Sequence, residues 1–141
     1  MGLRVVLDTN VVVSAFRSRE GASFRLMSLV GTGRFTVCLS VSLMLEYEAT
    51  LHDQLEDTDL GPNDVAEVLD FLGTAGEPCH VYFRWRPSLP DPEDDMVLEL
   101  AVAGGCSRIV TYNVRDFRGL HRFAVRAVTP AAVLQEIGES G

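Results

Sequence analysis

The chain has 141 residues, of which 47% are hydrophobic and 23% are charged, so it suits a single globular domain with a buried core. Its formal net charge of −8 excludes a protein that coats nucleic acid through a generally basic surface, although a nuclease whose acids bind metal stays open. No apolar run approaches the roughly 20 residues that span a bilayer, and no signal-peptide pattern precedes the first apolar segment. We therefore expect a cytoplasmic protein without a membrane segment.

Short apolar runs predict five strands, at residues 3–7, 35–39, 80–83, 107–111 and 123–128. Two helical patterns cover residues 11–16 and 23–30. Four more begin farther along the chain: at Ser40 or Ser42, at Pro62, at the Asp94-Asp95 pair and at Thr129-Pro130. Either Thr9 or Asn10 is a suitable N-cap for the first helix. This alternation predicts an α/β fold, with a parallel sheet covered on both faces and one domain over residues 1–141.

Acidic residues stand where strands end or helices begin: Asp8, Glu46, the pair Asp94 and Asp95, and Asp116. Ligands of a parallel α/β sheet bind at the carboxyl ends of its strands, so we expect these acids to converge. Each acid alone has an ordinary explanation, such as a helix N-terminus that favours negative charge. Together they would repel one another unless a cation lies between them. Oxygen ligands favour magnesium or manganese, which suits hydrolysis of phosphodiester bonds.

The three cysteines, Cys38, Cys79 and Cys106, are far apart in the sequence. No CxxC pair or histidine-rich cluster accompanies them, which argues against a zinc site. Their number and apolar surroundings predict buried structural thiols in a reducing compartment.

Four segments together resemble the PIN-domain family. They are LDTNV at residues 7–11, EY at 46–47, DPEDD at 91–95 before LELA at 98–101, and VTYNVRDF at 110–117. Within that family the chain is similar to the VapC-like toxin components of bacterial toxin–antitoxin pairs. The resemblance implies a three-layer α/β/α fold around a central parallel sheet of five strands. It also implies an endoribonuclease that depends on Mg2+ or Mn2+.

The resemblance assigns the metal-binding and catalytic acids by position. Asp8 matches the first acid and Glu46 the second, with Glu48 as a competitor for the second position. Asp94 best matches the third, and Asp95 remains a close alternative.

The fourth acid lies in the last of these segments. Toxin-type members often have Asn at the usual position and Asp three residues later, and this chain has Asn113 and Asp116. The resemblance therefore implies Asp116 as the fourth acid and Asn113 as a supporting ligand. Asn10 and Thr111 match a supporting amide and a supporting hydroxyl.

Partners follow from the same resemblance: an RNA substrate, a cognate antitoxin protein and a second copy of the chain in a homodimer. Apolar stripes at residues 24–27 and 44–47 are candidate dimer surfaces, or else ordinary core. The Arg84-Trp85-Arg86 segment can stack on RNA or anchor its loop to the core.

Other functions stay open at this point. A PIN-type nuclease in RNA maturation or quality control would carry the same acids, and an overlapping upstream gene would favour the toxin instead. A catalytically silent PIN module that binds RNA or protein would have lost an acid, whereas all four have candidates here. A phosphoacceptor domain needs a lysine near its acids, and this chain has none.

Overall fold

The computed structural model describes residues 2–81, 92–117 and 123–138. These residues form one parallel sheet with the strand order β3-β2-β1-β4-β5. The strands are β1 Leu3–Leu7, β2 Phe35–Leu39, β3 Glu77–Pro78, β4 Arg108–Val110 and β5 Arg126–Val128. The Arg84-Trp85-Arg86 segment lies outside the described residues.

Six α-helices connect or follow the strands in the described parts of the chain. They are α1 Thr9–Arg17, α2 Ala22–Ser28, α3 Val41–Asp53, α4 Pro62–Ala75, α5 Pro92–Ala103 and α6 Pro130–Glu136. Short 3-10 helices cover Leu55–Asp57 and Val114–Phe117. Within this part of the chain, no helix combines the length and apolar character that a membrane crossing requires.

The helices cover both faces of the sheet. The strand order reverses between β3 and β4, and right-handed crossovers therefore place α5 on the face opposite to α1 through α4. Helix α5 packs against β1, β2 and β4, while α6 packs against α2. The predicted three-layer α/β/α fold around a parallel sheet is confirmed.

Strand β1 lies at the centre of the sheet and of the core. Its register pairs Val5 with Val37 of β2 and Leu7 with Val110 of β4. Val5, Val6 and Leu7 are at most 1% exposed, because helices cover both faces of this strand. The uninterrupted apolar run ends at Asp8, so the sequence itself places a carboxylate where the central strand leaves the core.

Caps position the helices that follow the strands. The Ser40 side chain accepts a hydrogen bond from the backbone N–H of Leu43 at 3.1 Å, and Thr129 caps α6 in the same way. The first cap differs from the prediction. Asp8 itself is the N-cap of α1, with extended backbone, and Thr9 already belongs to the helix.

The third strand is shorter and earlier than predicted. It comprises Glu77–Pro78, whereas His80 and Val81 belong to no strand and residues 82–83 lie outside the described residues. Helix α4 ends at Ala75, and a Cβ on Gly76 would lie 2.7 Å from Leu39 Cδ1. This close approach brings the chain beside β2 immediately after α4. Glu77 and Pro78 therefore pair with β2 before the apolar run predicted as a strand, residues 80–83, begins.

The last strand also begins later than its apolar pattern predicts. Ala124 has a φ of 58°, a left-handed conformation that interrupts an extended chain. Strand β5 therefore starts at Arg126 and pairs with β4 over three residues.

Candidate functional site

Asp8 is held rigidly at the carboxyl end of β1. Its backbone N–H donates to the Val110 carbonyl of β4 at 2.9 Å, and its side chain is only 9% exposed. One carboxylate oxygen accepts from the Thr9 backbone N–H at 2.8 Å. The other accepts from the Thr111 hydroxyl at 2.7 Å and lies 3.4 Å from the Asn10 amide nitrogen. These donors stabilise a charged carboxylate that is largely removed from water.

The predicted amide and hydroxyl groups meet Asp8 across the β1–β4 boundary. Asn10 donates to the Thr111 hydroxyl oxygen at 3.3 Å and accepts from the Tyr112 backbone N–H at 3.3 Å. Asn113 reaches the same hydroxyl oxygen through its backbone N–H, at 3.0 Å, while its side chain is exposed. The end of β4 is thereby fixed against the start of α1.

Glu46 reaches this site from α3. The Thr9 hydroxyl donates to Glu46 Oε2 at 2.5 Å, which joins two segments 37 residues apart. Glu48 instead lines an apolar groove together with Met44 and Leu69. The structure thus places Glu46, and not Glu48, beside the segment that carries Asp8.

Tyr47 of α3 binds the backbone at the end of β1. Its hydroxyl is fully buried and donates to the Leu7 carbonyl, directly before Asp8. Burial raises the pKa of Tyr47 well above its usual value, and the negative charges of Asp8 and then Glu46 raise it further. Tyr47 is therefore a neutral donor that lies close to both carboxylates.

We expect a Tyr47→Phe substitution to destabilise the protein by about 1–3 kcal/mol, because the Leu7 carbonyl would lose its buried donor. Urea unfolding followed by circular dichroism measures the change. A Glu48→Gln variant on the same helix serves as a control, since Glu48 is exposed and should shift stability by less than about 0.5 kcal/mol. Equal free energies of unfolding for wild type and Tyr47→Phe would show that this hydrogen bond makes no net contribution to stability.

Asp94 and Asp95 lie in the first turn of α5, and both are half-buried. The other end of α5 leads to the start of β4, where the Ser107 N–H donates to the Arg4 carbonyl at 3.1 Å. The helix therefore runs antiparallel to the strands, and its first turn lies at the carboxyl edge of the sheet, as Asp8 does.

The burial of α5 distinguishes the two acids. Asp94 shares a helix face with Val97 and Ala101, which are buried against the sheet. Asp95 shares its face with the buried Leu98 but also with Glu99, which is half-buried, and Val102, which is 36% exposed. This arrangement favours Asp94 as the acid that faces the site.

Asp116 lies farther out than the other acids. It belongs to the 3-10 helix that follows β4, and its backbone N–H donates to the Asn113 carbonyl at 2.9 Å. Its side chain is exposed, and no hydrogen bond joins it to the described residues of the Asp8 network.

The donor set suits a hard divalent cation bound partly through water. Asp8, Glu46, Asp94 and the Thr111 hydroxyl offer oxygen atoms, the ligand type that magnesium and manganese prefer. Within residues 2–81, 92–117 and 123–138, no three of these carboxylates bring oxygen atoms within 4.8 Å of one another. Magnesium usually keeps several waters and binds one or two carboxylates, so this spacing fits such an ion better than a closed protein cage.

Two residues that shape the site were not predicted for that role. Thr9 was considered as a helix cap, yet its hydroxyl orients Glu46. Tyr47 entered only as part of the EY segment at residues 46–47, yet its hydroxyl binds the backbone that carries Asp8. Both act through contacts between distant segments, and adjacency to Asp8 and Glu46 was the only signal in the sequence.

The fold and the residues at this edge define an α/β/α protein with acidic side chains after its central strand. Its sequence matches the family model of the PIN domain over residues 4–115, and the chain belongs to the PIN-domain family. PIN domains are nucleases.

Among solved structures, the chain is similar to one from the crystal structure of VapBC2 from Rickettsia felis bound to a DNA fragment from their promoter. The TM-score is 0.59 with 13% sequence identity, and the match covers 89% of this chain and 97% of that chain. At this identity the likeness concerns the fold. A comparison with curated proteins gave no match.

Proposed function

We propose that the protein is a Mg2+- or Mn2+-dependent endoribonuclease that acts as the toxin of a type II toxin–antitoxin pair. One observation carries the proposal. Asp8 is buried at the end of the central strand, is oriented by Thr111 and the Thr9 backbone, and is joined through the Thr9 hydroxyl to Glu46. Such a preorganised pair of carboxylates in a PIN domain suits cation-assisted phosphodiester cleavage.

The residues have separate tasks in this proposal. Asp8, Glu46 and Asp94 hold the cation, and Asp116 contributes from the exposed side of the site when RNA is bound. The cation supplies positive charge that stabilises the transition state at the phosphoryl group. Thr111 and Asn10 keep the Asp8 carboxylate in one orientation, which lowers the cost of assembling the site during the reaction.

The proposed partners are an RNA substrate, a cognate antitoxin and a second copy of the chain. The fold shared with a chain of the VapBC2 structure supports the toxin role and the antitoxin. Within the stripes predicted as candidate dimer surfaces, Met27 is 8% exposed and Tyr47 is fully buried, so these two side chains belong to the core. Helix α3 exposes Leu45 of the second stripe at 60% and Val41 at 77%, and these side chains suit an apolar interface.

Induced expression in a bacterial host tests the proposal. We expect growth arrest together with new RNA 5′ ends at a small set of sites, and neither effect with an Asp8→Asn variant at equal protein level. Cleavage without growth arrest would support an RNA-processing nuclease instead of a toxin. Growth arrest that is equal in both strains, without new RNA ends, would contradict the nuclease itself.

We expect a Thr9→Val substitution to reduce RNA cleavage by about 10- to 100-fold, because Glu46 loses the donor that orients it. Valine keeps the shape of threonine, so folding should be little changed. Thr9→Ser keeps the hydroxyl and is expected to retain most of the activity. Initial rates over a range of Mn2+ concentrations measure both variants; equal rates for Val and Ser would contradict this positioning role.

A further inference from the structure

A second group of potential metal ligands lies at the β2–β3 edge and uses none of the predicted acids. Cys38 of β2, Glu77 of β3 and Cys79 just after it bring two sulfur atoms and a carboxylate oxygen within 4.8 Å of one another. The register pairs Cys38 with Glu77, and Cys79 lies two residues farther along the same strand direction. All three side chains therefore project from one face of the sheet.

The third cysteine, Cys106, also lies close to Cys38, although the three cysteines are far apart in the sequence. A Cβ built on Gly104 would lie 3.2 Å from Cys38 Sγ and 3.3 Å from Cys106 Sγ. Glycine at position 104 thus leaves the space that the two sulfur atoms occupy. Cys38 and Cys106 are buried, whereas Cys79 is half-buried.

We propose that Cys38, Glu77 and Cys79 form a binding site for a thiophilic divalent cation such as Zn2+, separate from the oxygen-lined site at Asp8. Zinc–sulfur and zinc–oxygen bonds of about 2.3 and 2.1 Å place neighbouring ligand atoms on the order of 3.5–4 Å apart in a tetrahedron. The three ligand atoms lie within 4.8 Å of one another, so only small side-chain rotations would be needed to reach that geometry. Water completes the coordination.

Charge balance explains the role of Arg4 in this group. Its guanidinium contacts Glu77 and donates from Nη2 to Cys38 Sγ at 3.1 Å. Two thiolates and one carboxylate carry three negative charges, which a divalent ion and the Arg4 cation neutralise together. Arg4 Nη2 contacts both Glu77 and Cys38 Sγ, so a bound ion would displace this nitrogen from Glu77 and leave it to donate to the sulfur, as groups around metal sites commonly do.

The chemistry of the ligands selects the ion. Sulfur ligands favour zinc and related soft metals over magnesium, whereas the acids near Asp8 favour the reverse. The site is also reachable, because Glu77 is exposed and Cys79 is half-buried. A bound ion would fasten the two-residue strand β3 to β2 and so stabilise this edge of the sheet.

Cobalt titration of the full-length reduced protein tests this site, because thiolate–cobalt charge transfer gives an ultraviolet band that oxygen ligands do not produce. The protein is first stripped of metal and kept in a phosphine reductant. We expect the band to saturate at one Co2+ per chain and to disappear when Zn2+ is added. Cys79→Ser and Glu77→Gln should each weaken cobalt binding by at least about tenfold.

The control is Glu48→Gln, which removes a carboxylate from the groove that Cys79 also lines and should leave the band unchanged. Circular dichroism confirms that each variant is folded. Cys79 is half-buried, so its variant remains informative even if a Cys38→Ser chain fails to fold. Absence of a thiolate–cobalt band in the wild type, or an unchanged band in Cys79→Ser, would overturn the proposal.

Discussion

An Asp8→Asn variant is expected to cleave RNA about a thousandfold more slowly than the wild type. A bound cation supplies several kcal/mol of transition-state stabilisation, and each loss of about 1.4 kcal/mol lowers the rate tenfold. Asn has the shape of Asp and is an equally good helix N-cap, so the start of α1 should survive. Initial rates at saturating Mn2+ measure the effect, with thermal unfolding to verify the fold.

The matched control for Asp8→Asn is Glu48→Gln. Both remove one negative charge, but Glu48 is exposed and lines the groove on the other side of α3. We expect its activity to stay within about twofold of wild type, since exposed substitutions rarely perturb the fold. Similar losses in the two variants would mean that general charge, and not the Asp8 position, governs activity.

Asp94→Asn and Asp95→Asn are expected to differ strongly although the residues are adjacent. Asp94 shares the buried face of α5 with Val97 and Ala101, so we expect its carboxylate to face the proposed cation site. Its loss should reduce cleavage by about 100-fold, the order found when one preorganised charged or polar contact to a transition state is removed. Asp95 is half-buried but lies on the side of α5 that carries Val102, away from the proposed site, and its loss should change the rate by less than about threefold.

The comparison is informative because both substitutions remove the same charge from the same helix N-terminus. Any effect on the helix dipole is therefore shared. Measurement of cleavage rates against Mn2+ concentration separates weaker metal binding from slower chemistry. A larger loss for Asp95→Asn would reverse the assignment of the third acid.

Local sequence determined most of the architecture. The apolar run of β1 ends at Asp8, Ser40 begins α3, and Pro130 begins α6, and in each case neighbouring residues carry the necessary information. The exceptions are β3 and β5. Gly76 packs closely on Leu39, and Ala124 takes a left-handed conformation, so tertiary contact and backbone geometry override the apolar pattern there.

The candidate site was predictable as a set of residues but not as a set of contacts. The family resemblance implied that Asn10 and Thr111 support the site of Asp8, and hydrogen bonds join Thr111 to both other side chains. The contact between Thr9 and Glu46 depends on how α3 packs across α1, which no local pattern encodes. The choice between Asp94 and Asp95 likewise needed the burial of α5.

The positions of the three cysteines in the fold also could not be predicted from their spacing in the sequence. Their wide spacing argued for three separate buried thiols. The crossovers instead bring Cys38 and Cys106 together against Gly104 and place Cys79 just after the neighbouring strand, only half-buried. Strand order, which spacing does not reveal, determines which of these thiols meet.

Cleavage of total cellular RNA by the purified protein, with Mg2+, with Mn2+ and with a chelator, tests the central claim most directly. The account predicts discrete RNA fragments with either metal, none with the chelator, and none from Asp8→Asn under the same conditions. Intact RNA in every reaction with folded, antitoxin-free protein, or equal cleavage with the chelator, would contradict a metal-dependent ribonuclease.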